Sequence, residues 1–158
     1  MKNIPFIFFA ALCLCLCACA APAAAPTAEP VPEAVTLNLY HADGNFENIV
    51  CDAVSIPELS PEYIMAALHE NGVLSETVAV NSFLMDKTGV IRLDLAASFG
   101  TMMNSTGTSG EYIMMGSLVN TFLDAYGASG LNLLVDGETL ETGHSIYDWP
   151  MGLYPLEP

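Results

Sequence analysis

The chain of 158 residues is poor in basic side chains, with 3 Lys and Arg residues against 18 Asp and Glu residues and a formal net charge of −15. A nucleic-acid-binding surface needs clustered Lys and Arg to neutralise phosphates, so this composition argues against a nucleic-acid partner. It argues equally against electrostatic attachment to anionic lipid. Intrinsic disorder does not fit either, because 53% of the residues are hydrophobic and can bury a core.

Cysteine is scarce in the part of the chain that would fold. Four of the five cysteines lie within residues 1–19, and Cys51 alone belongs to the remainder. No internal disulfide is therefore available to the folded part. Cys51 falls in the apolar alternation of a predicted strand, which favours a buried, unreactive thiol over a reactive or metal-binding one.

Motifs for catalysis and cofactor binding are also missing. His41, His69 and His144 lie on different predicted elements, without the i, i+4 spacing of a metal-binding helix. No serine lies in a nucleophile elbow, no glycine-rich dinucleotide fingerprint follows a strand, and the carboxylates offer no identifiable catalytic pair. We therefore expect no catalytic residue, no metal and no cofactor.

What the sequence does contain, at its N-terminus, is a long apolar run over residues 4–19. Its length of about 16 residues is short for a membrane-spanning helix, which needs about 20. Lys2 before the run and small residues at its end are typical of an export signal. We therefore predict a signal peptide over residues 1–18.

The end of this run resembles the bacterial lipobox, in which an aliphatic and two small residues precede a lipidated cysteine. Residues 16–19, Leu-Cys-Ala-Cys, fit that pattern, so we predict lipid attachment at Cys19; ordinary secretion with cleavage after Ala20 is the alternative. Residues 19–34 are rich in alanine and proline, which favours an extended tether. We expect a lipid-anchored protein at the extracytoplasmic face of the cell membrane, with its domain over residues 35–155.

Alternation and turn residues predict the elements of this domain. The predicted strands cover residues 35–40, 49–56, 78–85, 90–95, 131–135 and 138–140, and the predicted helices cover residues 61–70 and 111–126. Ser60 before Pro61 predicts the start of the first helix, and Thr108 with Glu111 fits a capping box at the second, which Gly127 should end. Residues 42–45 and 136–137 predict turns. This order predicts an α+β fold, with two amphipathic helices packed on one face of a small mixed β-sheet.

The order of these elements resembles the GerMN domain, a sporulation and spore germination domain of extracytoplasmic bacterial proteins. The matching pieces are the Pro-Glu helix start at Pro61, the hairpin ending at residues 89–96, the Ser-Phe-Gly segment at residues 98–100, and the closing strand and turn at residues 133–138. Together they span roughly residues 35–152. The resemblance implies a fold similar to ring-building modules of envelope machines, with no established catalytic residues.

The exposed apolar tail over residues 149–155 is the strongest candidate binding feature. Trp, Tyr and Met are enriched in the cores of protein interfaces, which makes Trp149, Met151 and Tyr154 the candidate binding residues. The alternative is that the tail only covers an edge of the sheet. A second candidate is the loop at residues 107–110, which could bind an anion through backbone amides before a helix, although it lacks the lysine of a nucleotide-binding loop.

These features predict a non-catalytic, lipid-anchored envelope protein that binds or scaffolds other envelope proteins in sporulation, germination or envelope assembly. Its acidity favours partners with a basic surface, and self-assembly stays open. A regulatory lipoprotein that modulates a membrane receptor or sensor kinase is the alternative from another class. An envelope hydrolase is the third reading.

Overall fold

The helices and strands lie close to their predicted positions. The computed structural model describes residues 34–156, so the predicted signal peptide, Cys19 and residues 19–33 of the predicted tether lie outside the described residues. The elements are β1 (Val35–Ala42), β2 (Ile49–Ile56), α1 (Pro61–Glu70), β3 (Val80–Met85), β4 (Val90–Leu95), α2 (Ala97–Asn104), α3 (Thr108–Tyr126), β5 (Gly130–Val135) and β6 (Glu138–Thr139). Among the described residues, no helix is long and apolar enough to span a membrane.

The first two strands form a sheet of their own. β1 and β2 pair antiparallel over their whole length, from Val35 opposite Ile56 to Ala42 opposite Ile49. The backbone N–H of Tyr40 on β1 donates to the hydroxyl of Thr121 on α3 at 3.1 Å. Because that edge of β1 faces a helix, the hairpin stays separate from the other strands.

The remaining strands form a mixed sheet in the order β3-β4-β5-β6. β4 and β5 pair parallel, whereas β3 with β4 and β5 with β6 pair antiparallel. A parallel pair needs a long crossover connection, which α2 and α3 provide here. The α+β class and the mixed sheet are confirmed; the structure adds the separate hairpin sheet and a third helix.

The additional helix, α2, covers residues for which the sequence pattern predicts neither a helix nor a strand. It covers eight residues, and no side chain caps its N-terminus at Ala96. Phe99 and Met103, one turn apart on the same face, are both fully buried. Tertiary burial of this pair stabilises a helix that is too short and too rich in small polar residues to give a clear periodic signal.

The core forms where the inner faces of the sheets meet α1 and α3. The alternation predicted for β4 is confirmed, since Ile91, Leu93 and Leu95 are fully buried. Phe83 on β3 packs against α3, with its ring centroid 6.2 Å from that of Phe122. Each fully buried side chain of this size contributes about 1.5–3 kcal/mol to folding, so this layer carries much of the stability and fixes the position of α3.

Several local predictions are confirmed. The Ser60 hydroxyl accepts a hydrogen bond from the Tyr63 N–H at the start of α1. Gly127 ends α3 with a φ of +58°, in the left-handed conformation that glycine adopts readily. Asp136 and Gly137 both have positive φ, as a tight hairpin turn requires.

Candidate binding surface

The C-terminal segment, residues 142–156, contacts α3 near both of its ends and pairs with β5 between them. The backbones of Leu131 on β5 and Met151 exchange two hydrogen bonds of 2.9 Å, beyond the point where β6 stops pairing. The Met151 side chain is only 2% exposed. The expectation of an exposed Met151 is therefore wrong, because this residue closes the open edge of β5 and turns its side chain into the core.

Asn120 on α3 holds the end of this segment. Its side-chain amide donates to the Tyr154 carbonyl at 2.9 Å, and its side-chain oxygen accepts from the Tyr154 N–H at 2.7 Å. Asn120 is almost fully buried, so both bonds are shielded from water. The Asn120 side chain thus satisfies both backbone groups of Tyr154, as a neighbouring strand would. The only sequence signal was a polar residue among the apolar residues of a helix.

Glu111 holds the beginning of the segment. Its Oε1 accepts hydrogen bonds from the Tyr147 hydroxyl at 2.7 Å and from the Thr142 hydroxyl at 2.8 Å, and the residue is 2% exposed. The predicted capping box is wrong, because Gly107 is the N-cap and makes no side-chain cap bond. Burial, with a smaller effect of the Glu111 hydrogen bond, raises the pKa of Tyr147 well above its usual value.

Between these two attachments the segment exposes a row of apolar side chains. Ile146, Trp149 and Leu153 are 50%, 49% and 67% exposed, whereas Tyr154 is half-buried. The Trp149 ring stacks on Tyr147, with the two centroids 6.1 Å apart. We call Ile146, Trp149 and Leu153 the C-terminal strip. Two of the three predicted binding residues, Trp149 and Tyr154, therefore reach the surface.

Tyr154 connects the C-terminal segment to the N-terminal part of α3. Its ring lies edge-on to Tyr112, with centroids 5.2 Å apart. Burial is the main cause that raises the pKa of Tyr154 to about 12. Tyr112 is 45% exposed and shares a shallow depression with Phe46. Aromatic side chains thus continue from the tail to the turn between β1 and β2.

The β1–β2 turn presents Phe46 to solvent in an uncommon backbone conformation. Phe46 has a φ of +58° and is 74% exposed. Asp43 holds the turn, since its carboxylate accepts bonds from the N–H groups of Asn45 and Glu47 and from the side-chain amide of Asn48. The Glu47 bond is the first of the causes that lower the pKa of Asp43. Positive φ is strained for a bulky residue, and here the carboxylate keeps it in place.

Phe46 stands at the rim of a cavity of about 310 Å³ between this turn, the end of α1, the α2–α3 connection and α3. The wall includes Val73, Thr106, Ile113 and Ser117. Ser117 is fully buried, and its hydroxyl has no hydrogen-bond partner within residues 34–156. A mainly apolar concavity with few polar groups is the usual form of a ligand pocket.

Comparison with known families identifies the domain. The family described as Germane, sporulation and spore germination, matches residues 27–141. The chain belongs to this family. No curated protein sequence matches the chain.

Solved structures agree with the Germane fold. The tandem GerMN domains of the sporulation protein GerM from Bacillus subtilis align with a TM-score of 0.59 at 14% identity, covering 76% of this chain and 46% of that one. The first GerMN domain of the same protein aligns with a TM-score of 0.56 at 17% identity, covering 75% and 96%. A putative lipoprotein from Clostridium perfringens gives a TM-score of 0.49 at 16% identity, covering 75% and 87%. The chain thus spans about half the length of the tandem structure, and the likenesses to the two GerM structures show the fold.

The Germane match separates two parts of the surface. The β1–β2 turn and the cavity lie within residues 27–141, whereas Trp149, Met151 and Tyr154 lie beyond the matched range. The predicted binding residues therefore belong to a C-terminal extension of the match, packed onto the family domain by Glu111 and Asn120.

The other residues selected from the sequence of this Germane domain lie apart from one another. His41 contacts Asp52 at 2.9 Å, and His144 lies 3.4 Å from the Thr108 hydroxyl. Within residues 34–156, no three His, Cys, Asp or Glu side chains form a group that could hold a metal. Cys51 is exposed, so its predicted burial is wrong; it pairs with Tyr40 on the face of the hairpin away from the core.

Residues 107–110 form the start of α3 and not a separate loop. Gly107 is the N-cap, and residues 108–110 form the first turn of α3. Thr108 and Ser109 also border the shallow depression beside Phe46. Anion binding at this loop stays a prediction.

Proposed function

We propose that the protein is a non-catalytic, lipid-anchored binding module of the cell envelope, acting in sporulation, germination or envelope assembly. Family membership supports the process, and the lipobox-like sequence before Cys19 with its alanine- and proline-rich tether supports anchoring at the extracytoplasmic face. The observation that carries the binding role is the C-terminal strip, which exposes three large apolar side chains on a firmly held backbone.

The strip suits protein binding because its backbone is already ordered. Glu111 bonds the side chains of Thr142 and Tyr147 on either side of Ile146, and Asn120 bonds the backbone of Tyr154 directly after Leu153. A partner that covers these side chains therefore loses little conformational entropy of the loop, which favours affinity. The strip lies on a chain with 18 acidic and 3 basic residues, so a partner with an apolar patch and a basic rim is the best match.

The binding role is tested by chemical cross-linking in envelopes of the source cell. Replacing Trp149 and Leu153 with serine should remove the cross-linked partner, because the two largest exposed groups of the strip are lost. Leu84→Ser is the matched control, since Leu84 is 63% exposed on β3 and lies outside the strip. Equal cross-linking by both variants would contradict binding through the strip.

The anchor is tested separately. Mass spectrometry of the N-terminal peptide should find diacylglycerol on Cys19, and a Cys19→Ala variant should move from the membrane fraction to the soluble fraction. A variant that stays in the membrane fraction without lipid would show that another feature holds the protein there. Neither result depends on the strip, so anchoring and binding can fail independently.

A further inference from the structure

The cavity beside Phe46 contains features that do not stabilise the fold. Its wall contains the fully buried Ser117, whose hydroxyl is unpaired among the described residues and therefore destabilises the folded state. Its rim carries Phe46, with a positive φ and only a quarter of its surface covered. Unfavourable features of both kinds are typical of ligand sites, where function rather than stability maintains them.

The size of the cavity limits what can enter. A volume of about 310 Å³ lies at the lower end of ligand pockets, which run from about 300 to 1,000 Å³. One large apolar side chain fits this space. Val73 and Ile113 supply an apolar wall for such a group, and Phe46 supplies an aromatic face at the entrance.

The charges around the cavity define the charge of the occupant. Asp43 and Glu47 flank Phe46 in the turn, and Asp52 contacts His41 on the wall. The described residues include one lysine, Lys87 in the β3–β4 turn, and one arginine, Arg92 on β4, and neither lines the cavity. The carboxylates of Asp43, Glu47 and Asp52 near this entrance disfavour a carboxylate or phosphate, whereas they attract a cationic group beside the apolar one.

We propose that this cavity binds a large apolar side chain of a basic polypeptide segment, with Phe46 as the aromatic wall that closes over it. The proposal rests on the binding role proposed above and adds a second contact site, within the family-matched part of the chain. Tyr112, which borders the depression next to Phe46 and contacts Tyr154, connects this site to the C-terminal segment.

The test is a titration of the full-length, nitrogen-15-labelled chain with a blocked pentapeptide that has a central phenylalanine between two pairs of lysines. The amide signals of Phe46, Val73 and Ile113 should shift and saturate. Two matched peptides, one with a central serine and one with flanking glutamates, should each bind at least about tenfold more weakly. Saturable shifts at these positions with the first peptide alone would support the proposal.

Two variants make the test specific. Phe46→Gly keeps the backbone conformation and should weaken binding at least about tenfold, and Val73→Phe should do the same by filling the cavity. Leu84→Ser, an exposed apolar residue elsewhere, should leave binding unchanged. Absent shifts, equal binding of the serine or glutamate peptide, or an unaffected Phe46→Gly variant would overturn the proposal. Shifts confined to residues 146–156 would also overturn it, while leaving the function of the strip intact.

Discussion

The β1–β2 turn and the C-terminal segment both present exposed aromatic side chains, but they are held in opposite ways. The turn is held locally, since Asp43 accepts all its hydrogen bonds from residues two to five positions away. The C-terminal segment is held by residues distant in sequence, Leu131 on β5 and, more than thirty positions away, Glu111 and Asn120 on α3. A locally held turn keeps its shape independently of the core, whereas the segment depends on the packing of α3.

The two regions also differ in how deeply the polar groups that hold them are buried. Asp43 is only partly buried, so water competes for its hydrogen bonds and each contributes less than a fully buried bond would. Glu111 and Asn120 are buried, so a missing partner there leaves polar groups unpaired away from water. Loss of a bond at α3 should therefore cost more stability than loss of a bond in the turn, and the following predictions test this order.

The largest effect should follow Glu111→Ala. The hydroxyls of Tyr147 and Thr142 lose their acceptor, and the missing methylene groups leave a cavity, so the free energy of unfolding should fall by about 3 kcal/mol. Urea denaturation measures it. Glu62→Ala, at an exposed position in the first turn of α1, is the control and should change stability by less than about 0.5 kcal/mol. Equal losses in the two variants would contradict the role of Glu111.

A smaller loss, about 2 kcal/mol, should follow Asn120→Ala. Water can reach the half-buried Tyr154 once its partner is gone, which replaces part of the lost bonding. Amide hydrogen exchange gives the local measurement, because the Tyr154 amide should lose its protection. Asn104→Ala removes an exposed amide at the end of α2 and should leave that protection unchanged. A protected Tyr154 amide in Asn120→Ala would show that other contacts hold the tail.

The third prediction compares the stabilities of two variants at Phe46, one with glycine and one with alanine. Both Phe46→Gly and Phe46→Ala remove the ring, but only glycine adopts a φ of +58° without steric cost. The glycine variant should therefore be more stable than the alanine variant by about 1 kcal/mol. Thermal or urea unfolding decides this. An alanine variant as stable as the glycine variant would mean that the turn relaxes and is not held by Asp43.

The smallest effect should be the acid sensitivity of the turn. Hydrogen bonds lower the folded-state pKa of Asp43, so its contribution to stability is complete above about pH 4 and is lost as pH falls through the lowered pKa. The amide signals of Asn45 and Glu47 should follow this titration in an NMR experiment. Asp43→Asn should abolish it at these amides while the similar titration of Asp86 persists at the Thr88 amide. Unchanged signals at Asn45 in that variant would assign the titration to another group.

Local features of the fold were predictable from the sequence because neighbouring residues decide them. Ser60 caps α1, and Gly127 ends α3 where these residue types predicted. The alternation of β4 predicted its buried face. The same reasoning failed at Cys51, since alternation marks a strand but cannot say which face another element will cover.

The candidate surface was predictable only in part. Trp149 and Tyr154 lie at the surface in whole or in part, and Met151 does not. The cavity beside Phe46 gave no sequence signal, because its wall comes from a turn, a helix end, a connection and a second helix. Thr108 and Glu111 had the spacing of a capping box, yet the carboxylate bonds Tyr147 instead, 36 positions along the chain.

By itself, the sequence determined the acidity of the surface, the family resemblance, the strands and main helices, and the turns that Asp43 and Asp136 start. These depend on composition or on residues within a few positions of one another. The tertiary structure alone decided the partners of Glu111 and Asn120, the burial of Met151 and the exposure of Cys51. A polar side chain takes whichever partner the packing brings within hydrogen-bond distance, and an apolar one is buried only where another element covers it.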